Sequence, residues 1–562
     1  MSTEIFVECL DCGQQTPYYL ATSSCPRCES SWREARYDYQ NLAHILLSLI
    51  HERNFDLWRY RELLPVQYLS PTISLGEGCT PLIQATNLGI MLGCPHIYIK
   101  DERQGPTASF KDRQAAVSIA ALKEAGITEA VLASTGNVAI AYSAYAARAG
   151  IKLWAFLTSL VPAEKMREVA IYGTQVVKVT ASYDQAKQVA AEFARQRGLY
   201  LEKGSRSVPS VEAMKTIAFE ICEQLTSVLG APRSFNHKNS TPAWRAPDWY
   251  IQAVSGGVGP LGVQKGFNEL KRMNLIDHVP AMASIQVEGC APMVHSWKAG
   301  RDVAEAIRSP RTHIATLGTG NPGRTYTFLC QRMRQGGGGC FESVTDEEAN
   351  RTIHVLAKME GISVEPAAAV AFAGLIKLVR AGQIKPDEVV VVNCSGHTMP
   401  IEKILLGDHW ARNVVLPTHA MEGVPEEGLL SALNRVTSER YPRVAIVDDH
   451  PDARRLIRRI LQSQGNYTIL EAGNGREAID LAHKELPDLM VLDLMMPEID
   501  GFAVLDALKD NPGTSSIPVI VVTAKELTSE EKERLDGRIH SLMQKGEFMS
   551  DELVDEIHGL LR

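Results

Sequence analysis

Between about Gly76 and Gly407, short uniformly apolar runs alternate with stretches in which apolar residues recur every three or four positions. The runs IYIK (97–100), AVLAS (130–134), LWAFL (153–157), TQVVKV (174–179), WYIQAVS (249–255), SIQVEG (284–289) and EVVVVN (388–393) read as strands. FKDRQAAVSIAALKEAG (110–126) and VAIAYSAYAARAG (138–150) read as helices. Apolar strands separated by helical periods predict an α/β class with helix-covered parallel sheets. An amphipathic helical stretch precedes this block, from Tyr37 to Leu64, and stops at Pro65. Asn236–Asp248 and Gly336–Gly339 read as loops, the latter flexible. A helix over 425–437 and a linker at Ser438–Pro442 lead into a second alternating block, with strands RVAIV (443–447) and LMVL (489–492). The predicted units are 1–36, 37–436 with a smaller subdomain inserted at about 107–215, and 442–562.

Length supports several units, because 562 residues at roughly 150 per domain give three or four. The composition is that of a globular protein, with 45% hydrophobic and 22% charged residues and a net charge of −8. No basic stripe offers a nucleic-acid footprint, and no run approaches the roughly 18 apolar residues of a membrane span. The first residues lack the basic and apolar regions of a secretion signal, so the expected location is cytoplasmic, with neither nucleic acid nor membrane as partner.

Four of the eleven cysteines are bunched as Cys9-x2-Cys12-x12-Cys25-x2-Cys28. Each C-x-x-C presents two thiolates from one turn, and two such turns complete a closed structural Zn²⁺ site. About thirty residues cannot bury a sufficient core, and structural zinc contributes roughly 10 to 16 kcal/mol.

Three further motifs sit at predicted helix starts. Ser109 reads as an N-cap with Asp112 three residues on, which puts Lys111 in the first turn. There the helix dipole and burial disfavour the ammonium, as a nucleophilic amine requires. Ser134-Thr135-Gly136-Asn137 offers backbone N–H groups to an anion such as a substrate carboxylate. Ser255-Gly256-Gly257-Val258-Gly259 can close its amides on a phosphate. The same stretch, through Gly262, also matches G-x-G-x-x-G, with Glu288 ending the next strand, as in a dinucleotide-binding fold. That alternative gives Lys111 and the Ser134 loop no role.

Together with Trp58-Arg59-Tyr60, Gly76–Leu82, Pro106–Arg113, Ala144–Gly150, Lys215–Glu220, Gly320-Asn321-Pro322 and Glu365–Ala369, these stretches resemble the fold-type-II pyridoxal-phosphate enzymes, and the threonine synthase family in particular. The resemblance implies a tryptophan-synthase-β-like fold of two parallel-sheet subdomains behind a zinc ribbon, and a homodimer. It implies a Schiff base at Lys111, contact of Asn137 with the 3'-oxygen, phosphate held by Ser255–Gly259, and Ser395 at the pyridine nitrogen. The implied reaction converts O-phosphohomoserine and water to threonine and phosphate, with Ser134, Thr135, Gly136, Ser205 and Arg206 binding substrate. Val138 and Ser210 depart from the family pattern, which has a threonine and a phosphate-binding arginine at these places. Arg206 is the expected substitute. A β-elimination or β-replacement on another amino acid, or a catalytically weakened two-component regulator, remain alternatives.

In the last block, strands end in Asp448-Asp449 and in Asp493, and two later ones finish at Thr523 and Lys545. In a doubly wound sheet these groups meet at one carboxyl edge. Three carboxylates there repel one another until Mg²⁺ neutralises them and leaves Asp493 free to attack a phosphoryl donor. The segment resembles the response-regulator receiver family, a flavodoxin-like (βα)5 fold. That resemblance implies phosphorylation on Asp493, support from Thr523 and Lys545, and a histidine kinase or phosphotransfer partner. Leu542 and Gly546 depart from the family's usual aromatic residue and proline.

Overall fold

A computed structural model of the chain describes residues 5–20, 22, 24–67, 73–158, 161–179, 183–231, 243–397, 442–464, 467–524, 527–544, 553, 556, 557 and 559–561. The predicted helix 425–437, nearly all of the linker, part of the Asn236–Asp248 loop, and Lys545 with Gly546 lie outside these residues. The chain divides into two compact units, the first spanning Met1–Ile353 and Ser363–Pro400, the second His354–Ile362 and Ile401–Arg562.

The first unit opens with a three-stranded antiparallel ribbon, Gln15–Pro17, Phe6–Cys9 and Arg33–Arg36. It then carries two sheets. The larger has the order Gly339–Val344, Ala281–Val287, Trp249–Ala253, Val390–Cys394, Ile97–Asp101 and Leu82–Gln84, parallel except for the antiparallel edge at Leu82. The smaller is fully parallel in the order Gln175–Val179, Lys152–Thr158, Glu129–Ser134 and Tyr200–Leu201. Ile97, Ile99, Val390, Val391 and Val392 are wholly buried, as central strands covered on both faces must be.

Two predicted features differ. The stretch Tyr37–Leu64 is broken into an α-helix at Tyr39–Leu49 and 3-10 turns at Ile50–Glu52 and Leu57–Leu63. Arg53 is extended, and Asp56 restarts the chain by accepting from the Trp58 N–H. The glycine run 336–339 forms the expected loop only through Gly338. A Cβ on Gly337 or Gly339 would collide with the Val279 or Met282 carbonyl, and Gly339 already belongs to a strand. These glycines allow close backbone approach.

Four buried charges tie the ribbon to the helices behind the larger sheet. Lys215 and Lys265 each bridge both Glu212 and Glu269, at 2.5 to 2.9 Å. The ribbon enters this cluster through the Tyr37 hydroxyl, which donates to Glu212, and the Ala35 carbonyl, which accepts from Lys265.

In the second unit a five-stranded parallel sheet runs Thr468–Ala472, Arg443–Val447, Leu489–Leu492, Val519–Thr523 and Ser541–Gln544. This 2-1-3-4-5 order brings the ends of the first and third strands together at a topological switch point.

Candidate functional site

Lys111 is the first residue of the helix Lys111–Glu124, directly after a loop that crosses the end of the strand Val390–Cys394. The loop is anchored by backbone bonds from Phe110 N–H to the Ser395 carbonyl and from His397 N–H to the Ala108 carbonyl. The expected cap is not formed. Phe110 stands at the cap position, and the Ser109 hydroxyl is buried without a partner. The Asp112 carboxylate instead fastens the loop by accepting from the Thr107 N–H and hydroxyl, at 2.9 and 2.6 Å. Lys111 still lies in the first turn, as the sequence predicts. Among the described residues its amine has no hydrogen bond or ion pair and stands 4.1 Å from the Phe110 ring centre. Burial pushes its pKa down to about 8, against the opposing pull of Glu365.

The glycine loop faces the same place. Gly257 has φ 91°, and the helix Val258–Arg272 begins immediately after it. A Cβ there would sit 2.6 Å from Thr325 Cγ2, and one on Gly259 would sit 2.5 Å from Gln252 Nε2 and 3.0 Å from Phe110 Cε2. Phe110 therefore links Gly259 to Lys111. Gly256 looks onto open space, with nothing within 4 Å of its Cβ position, and Ser255 is held by Thr319 at 2.6 Å. The open face at Gly256, the unpartnered Ser109 hydroxyl and Gln252 amide, and the free amine match a phosphate-bearing aldehyde.

The Ser134 loop closes the other side. The Ser134 hydroxyl accepts from the N–H groups of Gly136 and Ala139. The Asn137 amide donates to Glu365 at 2.6 Å, and its oxygen accepts from Lys165 at 2.6 Å. Lys165 also reaches Glu365, at 3.3 Å, and its side chain passes Gly136. Glu365 N–H donates to the Gly396 carbonyl, which joins this triad to the Lys111 loop. Sequence reasoning quoted Glu365 only within the resembling stretch Glu365–Ala369, with no role attached, and did not single out Lys165. Lys165 sits in an ordinary charged amphipathic run.

Of the substrate residues expected from sequence, Ser205 meets Thr325 at 2.8 Å, beside the glycine loop. Arg206 does not join it. Its side chain is exposed and lines a separate groove with Arg33 and Gly126–Glu129, at the opening end of the strand Glu129–Ser134. Ser210 is sealed in a buried network with Ser118, Tyr142 and Glu202. Neither Arg206 nor Ser210 therefore joins the groups described around Lys111.

The family model described as pyridoxal-phosphate dependent enzyme matches residues 73–396, and that of the response regulator receiver domain matches 444–558. Threonine synthase of Methanocaldococcus jannaschii is 34% identical over 394 residues, 69% of this chain and 91% of the relative. That of Methanosarcina acetivorans is 32% identical, covering 70% and 91%. This chain belongs to the threonine-synthase family of pyridoxal-phosphate-dependent enzymes. It is a threonine synthase-like carbon–oxygen lyase joined to a receiver domain, and the dehydrogenase alternative falls. Among solved structures, processed threonine deaminase isoform 2 from Solanum lycopersicum aligns with a TM-score of 0.48 at 22% identity, over 58% of this chain and 81% of that one. In this threonine synthase-like chain Gly262, part of the G-x-G-x-x-G match, packs against the Val211 carbonyl of a neighbouring helix.

Two further clusters accompany the lysine site. The thiols of Cys9, Cys12, Cys25 and Cys28 lie within 4.8 Å of one another, with Cys9–Cys28 at 3.5 Å and Cys12–Cys25 at 3.6 Å. Tetrahedral Zn–S bonds of about 2.3 Å place sulfurs about 3.8 Å apart. The two turns match in form: Gly13 and Glu29, each four residues after a cysteine, have positive φ and donate back to the Cys9 and Cys25 carbonyls. In the receiver domain, carboxylate oxygens of Asp448, Asp449 and Asp493 also lie within 4.8 Å of one another. Asp449 Oδ1 is buried without a hydrogen-bond partner, which suits a hard cation. Thr523 ends the fourth strand, wholly buried. The fifth strand ends at Gln544, one residue short of Lys545.

Proposed function

We propose that the chain converts O-phosphohomoserine and water to threonine and phosphate, with pyridoxal phosphate anchored on Lys111. The observation that carries this reading is the unpaired Lys111 amine, lowered to about 8, beside a glycine loop with one open face. When bound, the cofactor supplies an electron sink conjugated to the substrate amine. The amides of Ser255–Gly259 would hold its phosphate, Asn137 its ring oxygen and Ser395 its pyridine nitrogen. Lys111, whose pKa of about 8 leaves a neutral fraction near physiological pH, would move protons at the substrate Cα and Cβ. The loop Ser134–Gly136 would orient the substrate carboxylate, and Ser205 would contact the leaving phosphate. The Cys9–Cys28 cluster would hold structural Zn²⁺, and the Asp448–Asp493 cluster Mg²⁺.

Phosphate release from O-phosphohomoserine tests the substrate, and borohydride fixation of the cofactor at position 111 tests the anchor. A retained cofactor without phosphate release would leave a β-elimination or β-replacement on another amino acid. That second reading is favoured by the outward turn of Arg206 and the sealing of Ser210. The receiver domain implies a kinase or phosphotransfer partner. We infer that phosphorylation of Asp493 modulates turnover, and equal kinetics with and without a phosphoryl mimic would count against it.

A further inference from the structure

Away from the lysine pocket, a groove of about 680 Å³ opens between the cysteine ribbon and the smaller sheet. Arg33 comes from the ribbon, and Lys203 and Arg206 from the turn that follows the strand Tyr200–Leu201. Among the described residues none of the three has a carboxylate within ion-pair distance. The nearby acids are engaged elsewhere: Glu129 with Lys152 and Trp154, Glu202 with Ser207, Ser210 and the Gly204 N–H. Burial and then the guanidiniums of Arg206 and Arg33 push the Lys203 pKa down, against the opposing pull of Glu202, as expected where cations are crowded together. Two further groups are incomplete: Arg33 Nε and the Tyr18 hydroxyl are both buried without a hydrogen-bond partner. Leaving such groups unpaired costs roughly 1 to 3 kcal/mol each, so a groove holding both is shaped for something that supplies acceptors. Its volume falls in the ordinary range of small-molecule sites, and the rings of Tyr18 and Tyr200 line it.

We propose that this groove binds a phosphorylated small molecule of mononucleotide size, with its phosphate among Arg33, Lys203 and Arg206 and its flat group against the tyrosine rings. The ligand would connect the ribbon to the turn that carries Ser205, one residue before Arg206. This site is independent of the reaction proposed above.

The test uses the full-length, cofactor-loaded protein and equilibrium dialysis with AMP, adenosine, inorganic phosphate and a single-stranded oligonucleotide. AMP is expected to bind saturably, and adenosine at least about tenfold more weakly. The pair Lys203→Gln and Arg206→Gln should weaken AMP binding at least about tenfold, which is roughly 1.4 kcal/mol, while Lys203→Arg retains it. Near-ultraviolet circular dichroism checks that each variant is folded, and Lys165→Gln should leave AMP binding unchanged. The proposal is overturned if adenosine binds as well as AMP, if the double variant binds normally, or if Lys165→Gln abolishes binding, which would place the ligand at the lysine pocket. Tighter binding of the oligonucleotide than of AMP would equally defeat it in favour of an extended polyanion.

Discussion

The lysine pocket and the receiver's acidic edge are built alike and charged oppositely. Both gather functional groups at the carboxyl ends of parallel strands, where loops can bring distant residues together. At Lys111 the surroundings work against a charge, since burial pulls an ammonium toward neutrality and no partner is supplied. At Asp448, Asp449 and Asp493 three carboxylates are crowded together, an arrangement that suits a hard cation. One site disfavours a charge by withdrawing water from it, and the other crowds like charges together. The same sheet-edge geometry thus serves two chemistries, and the side chains and their solvation choose between them.

The sharpest way to break this comparison is Lys111→Ala, expected to lower turnover on the order of 10³-fold or more, measured as phosphate release. On the acidic side, Asp493→Asn should abolish phosphoryl uptake from a small-molecule donor, and Asp449→Ala should weaken Mg²⁺ at least ~10-fold, measured by metal titration. Next comes pH. A lysine whose folded pKa is about 8, against roughly 10.4 in the unfolded chain, binds fewer protons folded than unfolded between those values. Stability of the cofactor-free protein should therefore rise as pH increases from about 8 to about 10.4. Lys111→Met should flatten that rise in thermal melts. The smallest effect is expected for Gly257→Ala, which places a Cβ 2.6 Å from Thr325 at φ 91°. It should cost about 1 to 3 kcal/mol in denaturant unfolding and loosen cofactor retention.

Much of the fold was legible because its strands are apolar on both faces and its helices carry a clear period; IYIK and AVLAS appear within a residue of where their pattern puts them. Lys111 and the glycine loop were legible because each lies in a short contiguous motif, and the two clusters because paired cysteines and strand-end aspartates have recognisable spacing. What the sequence hid was produced by distance along the chain. Glu365 meets Asn137 across 228 positions and Lys165 across 200, and no local pattern encodes such a meeting. The cap at Ser109 was misread for a related reason: Asp112 obeys the spacing rule, but the strand carrying Ser395 holds the loop and turns the serine inward. Arg206 is near Ser205 in sequence, yet adjacent residues in a tight turn point in different directions.

The four-charge cluster that receives Tyr37 and the Ala35 carbonyl sets a limit on how this enzyme can be shortened. Removing the first 37 residues would delete more than the four-cysteine ribbon. It would strip a hydroxyl donor and a carbonyl acceptor from two glutamates and two lysines buried to within 3%, and leaving a buried group short of its hydrogen bond costs roughly 1 to 3 kcal/mol each. A minimal catalytic fragment must keep its ribbon, or replace Lys215, Glu212, Lys265 and Glu269 together with apolar residues of matching volume.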